Sequence, residues 1–187
     1  MSTSPVTGGE GRRAVWVVVP VAVVLSLLIL LLATREPASE RAVNFALRGE
    51  IAPLIAGQDL DGRMFDIDDH SSRWVVVNFF STTCVPCVRE HPELVEFHER
   101  HVPIGDVVVV SVAFDDSAAN VVDFFDRYGG TWPVLTRDTG GVAVAYGVVA
   151  VPESYLVAPG GVVVEKIIGG VTADQLDALI DAYEAAA

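Results

Sequence analysis

The sequence predicts an α/β fold in which a mixed central sheet is flanked by helices on both faces. First, the apolar run 74–80 has the composition of a strand buried on both faces, and it leads directly into helix formers that continue to Arg100. Second, another apolar run, 107–114, follows that helix, which gives a strand–helix–strand unit. Third, two strand signals enclose the turn at 159–161, ahead of an amphipathic C-terminal helix.

The remaining elements follow from turn and cap signals. Asp61-Gly62 lies between two short apolar segments, which predicts a β-hairpin before the central strand. Ser117 and Thr172 are favourable helix N-caps, Gly129-Gly130 ends a helix, and Pro92 is expected to bend the first helix. The predicted elements are hairpin strands 54–60 and 64–67, strand 74–80, helix 84–100, strand 107–114, helix 117–128, short helix 142–146, hairpin strands 154–157 and 162–168, and helix 172–185. The expected order is ββ–βαβα–ββα.

The N-terminal part of the chain has a different composition. Its uncharged, Val- and Leu-rich run ends at Ala33 and would span about 30 Å as a helix, which is the thickness of a bilayer core. Arg12 and Arg13 precede the run and favour a cytoplasmic N-terminus. A signal peptide cleaved near Leu32-Ala33-Thr34 is the alternative. The chain is therefore divided into a cytoplasmic disordered stub (1–13), a single transmembrane helix as anchor (14–34), a linker (35–50) and a folded domain (51–187).

The net charge of −13 at pH 7 lies in residues 41–187, because three arginines balance three glutamates in residues 1–40. A domain this acidic repels nucleic acid and anionic lipid surfaces, so neither is an expected partner. There is no Gly-rich phosphate loop, and no cofactor is expected.

Cys84 and Cys87, the two cysteines of the sequence, lie where the central strand meets the first helix. Unpaired N–H groups and the helix dipole at that position stabilise a thiolate at Cys84. Cys87 follows three residues later on the same helix face, within reach for a disulfide. An exposed first cysteine that attacks and a sheltered second one that resolves are the requirements of thiol–disulfide exchange.

Two other uses of the cysteines are open at this point. The pair could form a structural disulfide, or it could supply part of a zinc site, although a closed site needs four ligands and no second cysteine pair exists. The histidines could also indicate a metal site. His91 lies four residues after Cys87, and His98 lies three residues before His101. The latter two are too far along the helix to share a metal with Cys87. Solvated histidines and no metal are expected.

The CxxC pair after a buried strand, Pro92 five residues beyond it, and the late Val151-Pro152 before a strand together resemble the membrane-anchored thioredoxin-like proteins of the TlpA/ResA/CcmG (DsbE-like) type. The resemblance covers roughly residues 50 to 185 and implies a thioredoxin-like fold. Such proteins usually have Trp immediately before the first cysteine, where this chain has Thr83. That departure affects the redox potential and the partner contacts rather than the fold.

The resemblance also implies roles for residues around the cysteines. Pro152 would be the cis-proline that packs against the dithiol, and Val151, Glu153 and Thr83 would line the substrate groove. Thioredoxin has a buried aspartate that takes up protons at the position of Asn78, and an amide cannot do so. Glu90, three residues after Cys87 on the same helix face, is the candidate replacement. An ordinary helix-start carboxylate is the alternative for Glu90, and a surface glutamate for Glu153.

Three functions are consistent with these residues. The first is an extracytoplasmic reductase of protein disulfides, such as the CxxC haem-attachment pair of an apocytochrome c in cytochrome c maturation, recharged by a membrane donor of CcdA or DsbD type. The second is the same chemistry run as a disulfide-donating oxidant of secreted proteins. The third is a non-enzymatic metal carrier or binding module with a structural disulfide.

Overall fold

The structure is a computed structural model that describes residues 21, 23–27 and 47–186. Residues 21 and 23–27 are helical. The predicted stub, most of the predicted anchor and most of the linker lie outside the described residues. Within the described ranges, no helix has the length and apolar content needed to cross a bilayer.

A five-stranded mixed sheet with strand order β5-β4-β3-β6-β7 forms the centre of the folded domain. Its strands are β3 (Trp74–Phe80), β4 (Val107–Ala113), β5 (Val134–Leu135), β6 (Glu153–Ala158) and β7 (Val162–Ile168). The β3–β4 and β4–β5 pairs are parallel, whereas the β3–β6 and β6–β7 pairs are antiparallel. A separate antiparallel pair, β1 (Ala56–Gln58) and β2 (Met64–Asp66), precedes this sheet. All seven residues of β3 are buried, as its apolar composition predicts.

Four helices follow in the domain: α1 (Val85–His101), α2 (Ala118–Tyr128), α3 (Thr139–Tyr146) and α4 (Ala173–Glu184). Ser117 caps α2, and Thr172 caps α4 in a capping box with Gln175, as the sequence predicts. The α1 helix continues through Pro92 to His101.

Side chains on the two faces of the sheet belong to two separate cores. One core holds Leu94 and Phe97 of α1 together with buried residues of α2 and α4. The other holds Tyr146 of α3, Tyr155 of β6 and Phe65 of the N-terminal hairpin. Because side chains alternate along a strand, neighbouring residues of β3 and β6 enter different cores. The expectation of a mixed sheet with helices on both faces is therefore confirmed.

The elements differ from the predicted ones in three places. The short strand β5 was missed, because two residues after Trp132-Pro133 carry no alternation of their own. A 3-10 helix at Ile67–His70 follows the hairpin, whose strands are only three residues long. Helix α3 begins at Thr139, earlier than the predicted residue 142, because Gly140 and Gly141 are weak helix formers but are tolerated in its first turn.

A substitution of Phe97 tests the packing of α1 against the sheet. Its ring is fully buried, so Phe97→Ala is expected to lower the free energy of unfolding by about 3–5 kcal/mol through lost burial and an unfilled cavity. Glu99→Ala, an exposed position on the same helix, should change it by no more than about 0.5 kcal/mol. Urea unfolding followed by circular dichroism measures both, and equal effects would contradict this packing.

Candidate active site at the strand–helix junction

Cys84 lies at the start of α1, and a three-residue turn separates it from the end of the buried strand β3. Cys84 is the N-cap residue in an extended conformation, and Pro86 occupies the first turn, where a missing N–H costs nothing. The Cys87 N–H donates a hydrogen bond to Cys84 Sγ at 3.2 Å. A thiolate at Cys84 would thus be held by a helix N-terminal amide, as the sequence predicts.

The two cysteines form a disulfide, with their Cα atoms 5.2 Å apart. Their environments differ, since Cys84 is half-buried whereas Cys87 is only 4% exposed. This asymmetry assigns the accessible sulfur to Cys84 and the sheltered sulfur to Cys87. It is the arrangement that attack by the first cysteine and resolution by the second require.

Pro152 follows a cis peptide bond and is buried immediately before β6. The carbonyl oxygen of the preceding residue, Val151, lies 3.4 Å from Cys84 Sγ. Of the residues expected to line the groove, Val151 is therefore in direct contact with the Cys84 sulfur. Thr83 is exposed immediately before it, and its hydroxyl lies 3.2 Å from Ser81 Oγ.

Glu90 is buried on the same side of the sheet as Cys87, one helical turn further along α1, with 4% of its surface exposed. Its carboxylate accepts a hydrogen bond from the Val171 N–H at 3.3 Å and further ones from the side chains of Asn78 and Ser154. Burial raises the pKa of Glu90 to about 7, although these hydrogen bonds act in the opposite direction. At neutral pH this carboxyl is poised to gain or lose a proton.

The polar residues behind Glu90 form a continuous chain across the sheet. Asn78 Nδ2 donates to Ser154 Oγ at 3.1 Å, and Ser111 Oγ donates to Asn78 Oδ1 at 3.5 Å. Trp132 Nε1 in turn donates to Ser111 Oγ at 2.8 Å. Asn78 therefore occupies the strand position noted in the sequence, but it acts as a neutral partner of Glu90. Ser111 and Ser154 were not foreseen, because only the strand register places them beside Asn78.

Glu153 does not line the substrate groove as expected. Its side chain enters the core on the opposite face of the sheet from the α1 core, beside Tyr155. There it is buried and paired with Lys166, with 2.9 Å between Lys166 Nζ and Glu153 Oε2. The alternation of β6 explains this, because Ser154 takes the face toward Glu90 and its neighbour must take the other.

Asp116 is a site residue that the sequence reasoning missed. Its Oδ2 accepts hydrogen bonds from the Thr82 N–H and the Thr82 hydroxyl, both at 2.6 Å, and from Ser81 Oγ at 3.1 Å. Burial acts to raise the pKa of Asp116, but hydrogen bonds from Thr82, Asn120 and Ser117 outweigh it and hold the pKa below its usual value. Asp116 follows β4, the parallel neighbour of β3, and side chains that follow parallel strands meet at one sheet edge. The positions of Thr82 and Asp116, each shortly after one of two parallel strands, could have revealed their contact from the sequence.

The expectation of solvated histidines is wrong for His91. Its ring is buried against Phe124 and Trp132, and Nε2 lies 2.8 Å from the Gly129 carbonyl oxygen. Burial lowers the pKa of His91, so the ring is held neutral as a packing residue. The other two histidines of α1 have side-chain partners. His98 contacts the Thr131 hydroxyl, and His101 contacts the Asp177 carboxylate. In the part of the chain that the structure describes, no cluster of three or more His, Cys, Asp or Glu side chains could hold a metal ion.

Residues 48–166 match the AhpC/TSA family. The thiol-disulfide oxidoreductase ResA of Bacillus thuringiensis strain Al Hakam is 33% identical over 129 residues, which cover 69% of this chain and 74% of the relative. The protein of the same name from Bacillus subtilis strain 168 is 31% identical over 124 residues, covering 66% of this chain and 69% of the relative.

Solved structures show the same fold. The thioredoxin domain of a thiol-disulfide oxidoreductase from Bacteroides vulgatus superposes with a TM-score of 0.64 at 25% identity, covering 73% of this chain and 96% of that one. A thiol:disulfide interchange protein of the thioredoxin family from Chlorobium tepidum gives a TM-score of 0.66 at 24% identity, covering 72% and 95%. The fold and the sequence similarity agree. The chain belongs to the AhpC/TSA family, among the ResA-type relatives of the TlpA/ResA/CcmG group, and is a thiol-disulfide oxidoreductase with a thioredoxin-like fold.

Proposed function

We propose that this chain is a membrane-anchored, extracytoplasmic reductase of protein disulfides that uses the Cys84–Cys87 dithiol. The CxxC haem-attachment pair of an apocytochrome c is the proposed substrate. The observation that carries the proposal is the buried Glu90 carboxyl on the Cys87 side of the sheet, whose pKa is raised to about 7. A structural disulfide has no need of a titratable group at that place.

The reaction proceeds in two exchanges. The Cys84 thiolate attacks one sulfur of the substrate disulfide, which forms a mixed disulfide and releases the other substrate sulfur as a thiolate. The Cys87 thiolate then attacks Cys84 Sγ, which forms the Cys84–Cys87 disulfide and releases the second substrate sulfur. Two electrons pass from the protein dithiol to the substrate disulfide.

Glu90 supplies the proton transfer that the second exchange needs. A thiol as buried as Cys87 has a raised pKa, because desolvation disfavours its thiolate. The Glu90 carboxylate can accept the Cys87 proton, since its own pKa near 7 allows it to be ionised and to be reprotonated at neutral pH. The two groups are therefore expected to titrate as a coupled pair.

The surroundings of Cys84 favour the reductase direction over the oxidant. A strongly oxidising dithiol owes its potential to a reduced form whose thiolate is strongly stabilised. In the described domain, the polar contacts of Cys84 Sγ are with one backbone N–H and one backbone carbonyl oxygen, and no side-chain cation is among them. The turn that precedes Cys84 is itself bound by a carboxylate, since Asp116 accepts a hydrogen bond from the Thr82 N–H. A modestly stabilised thiolate makes the dithiol a better electron donor.

The cellular setting of the proposal rests on the sequence. Residues 14–34 would anchor the chain as a single-pass protein of the cell membrane, with a cytoplasmic N-terminus and an extracytoplasmic domain. A reductase on the oxidising side must be recharged with two electrons and two protons, for which a membrane thiol donor of CcdA or DsbD type is the proposed partner.

Cys87→Ser is expected to accumulate a mixed disulfide with its substrate, because the resolving thiolate is absent. Cys84→Ser should abolish exchange and trap nothing, because the accessible nucleophile is lost. Non-reducing electrophoresis and mass spectrometry of the reduced variants with oxidised CxxC-containing peptides measure this. Trapping by Cys84→Ser instead would reverse the assigned roles.

Glu90→Gln is expected to slow resolution by Cys87 about a hundredfold at neutral pH, the contribution of a general base. In the wild type this rate should rise with pH through the Glu90 pKa near 7, because the carboxylate is the base form, and the substitution should remove that inflection. The apparent pKa of Cys87 should fall, since a neighbouring negative charge is lost. The first attack by Cys84 should change little. Stopped-flow single-turnover rates and thiol titrations measure these quantities.

Glu93→Gln is the matched control for this substitution. Glu93 lies one turn further along α1 and accepts a hydrogen bond from the Ala173 N–H at 3.1 Å, much as Glu90 accepts one from Val171. Its substitution should leave the pH profile intact. If both variants behave alike, Glu90 is an ordinary carboxylate of the helix.

The anchor is tested by membrane extraction. The full-length chain should remain in the pellet after carbonate treatment at high pH, because an apolar helix over residues 14–34 would hold it in the bilayer. A chain lacking residues 1–34 is the control and should be released. If expression of the full-length gene yields a soluble protein that begins near Thr34, the segment is a cleaved signal peptide instead.

A further inference from the structure

The buried ion pair between Glu153 and Lys166 has no part in the exchange chemistry described above. Its side chains are 3% and 8% exposed, and Lys166 is the single lysine of the sequence. A buried ion pair is a poor source of stability, because desolvation of the two charges offsets most of their attraction. Its presence next to Pro152 therefore points to a role other than stability.

The hydrogen bonds of the pair reach one short stretch of backbone. Lys166 Nζ donates to the Gly147 carbonyl oxygen at 3.2 Å, and the Val149 N–H donates to Glu153 Oε1 at 3.4 Å. Tyr155 reinforces the cluster, since its hydroxyl lies 3.1 Å from Glu153 Oε2 and 2.8 Å from the Tyr146 carbonyl oxygen. Burial, and then the Glu153 charge, raise the pKa of Tyr155 well above its usual range, so its hydroxyl remains a donor.

That backbone leads directly to the attacking sulfur. We call residues 147–151 the recognition segment. It joins the end of α3 to Pro152, and at its last residue the Val151 carbonyl oxygen lies 3.4 Å from Cys84 Sγ. Val149 is 84% exposed in the same segment, and Val85, next to Cys84, is 60% exposed. The segment thus presents a backbone acceptor at the dithiol and an apolar side chain to solvent.

We propose that Glu153 and Lys166 are positioning residues that hold the recognition segment in place for protein substrates. The hydrogen bonds of the pair to Gly147 and Val149 set the position of the Val151 carbonyl and of the exposed Val149 side chain. The Val149 side chain would contact the apolar residues that flank a substrate disulfide. The inference rests on the proposed function in protein disulfide exchange. A small disulfide needs only the Cys84 sulfur, so the pair should matter for peptides and not for small reagents.

A comparison of single and double variants separates positioning from stability. Lys166→Met leaves the Glu153 charge buried without its partner, so it should lower the unfolding midpoint as well as loosen the segment. The double variant Glu153→Gln/Lys166→Met removes both charges and should recover much of that midpoint. It still lacks the Lys166 hydrogen bond to Gly147, so the segment should stay loose.

The experiment uses the full-length chain, reduced, with two probes: an oxidised CxxC peptide with apolar flanking residues and the small disulfide 5,5′-dithiobis(2-nitrobenzoate). Single-turnover rates over a range of peptide concentrations give a half-saturation concentration and a limiting rate. In Lys166→Met and in the double variant, the ratio of the peptide rate constant to the small-disulfide rate constant should fall about tenfold, the effect of losing a charge-assisted hydrogen bond. The lower ratio should result from a higher half-saturation concentration for the peptide.

Glu165→Gln is the control, because Glu165 is the neighbouring β7 residue and its ion pair is with Arg48, away from the recognition segment. It should leave the ratio unchanged. A double variant that regains both the unfolding midpoint and the wild-type ratio would overturn the inference, and so would an equal loss with both probes. A wild-type chain that exchanges with neither probe would refute the proposed function itself, which is a separate outcome.

Discussion

Burial of an ionisable carboxyl on the same side of the sheet as a buried thiol is the constraint on which the site depends. Glu90 and Cys87 are each 4% exposed, and neither can carry a charge there without a cost in desolvation. The Val171 N–H and the Asn78 and Ser154 side chains offset part of that cost for Glu90, and its pKa is raised to about 7. In the proposed mechanism, a proton shared between Glu90 and Cys87 would cost less desolvation than two separate charges, which would favour proton transfer at the resolving step.

Three consecutive residues, Pro152 and the first two residues of β6, serve three different parts of the site. Pro152 follows the carbonyl that lies against Cys84, Glu153 enters the far core to meet Lys166, and Ser154 faces the Glu90 network. Strand alternation makes this division possible, because it sends neighbouring side chains to opposite faces. The antiparallel pairing of β6 with both β3 and β7 then fixes which partners they find. The sheet register, more than any one contact, therefore aligns the dithiol with its surroundings.

The sequence allowed prediction of the features that are local in the chain. The buried strand, the helix start at Cys84 and the turn and cap residues follow from composition and spacing, and so does the placement of Glu90 on the Cys87 face. Features that depend on register could not be predicted, such as the pairing of Glu153 with Lys166 and the contact of Ser111 with Asn78. Local patterns do not tell which residue of one strand lies opposite another.

We propose that the Cys84–Cys87 couple donates electrons, because Cys84 has a helix-start amide but no side-chain cation among its polar contacts in the described domain. The most direct test is the reduction potential of the couple, measured by equilibration with glutathione or dithiothreitol buffers and quantified by thiol alkylation. The account predicts a potential at or below about −270 mV, the value of thioredoxin. A potential near about −120 mV, that of a strongly oxidising dithiol protein with a highly stabilised thiolate, would contradict it.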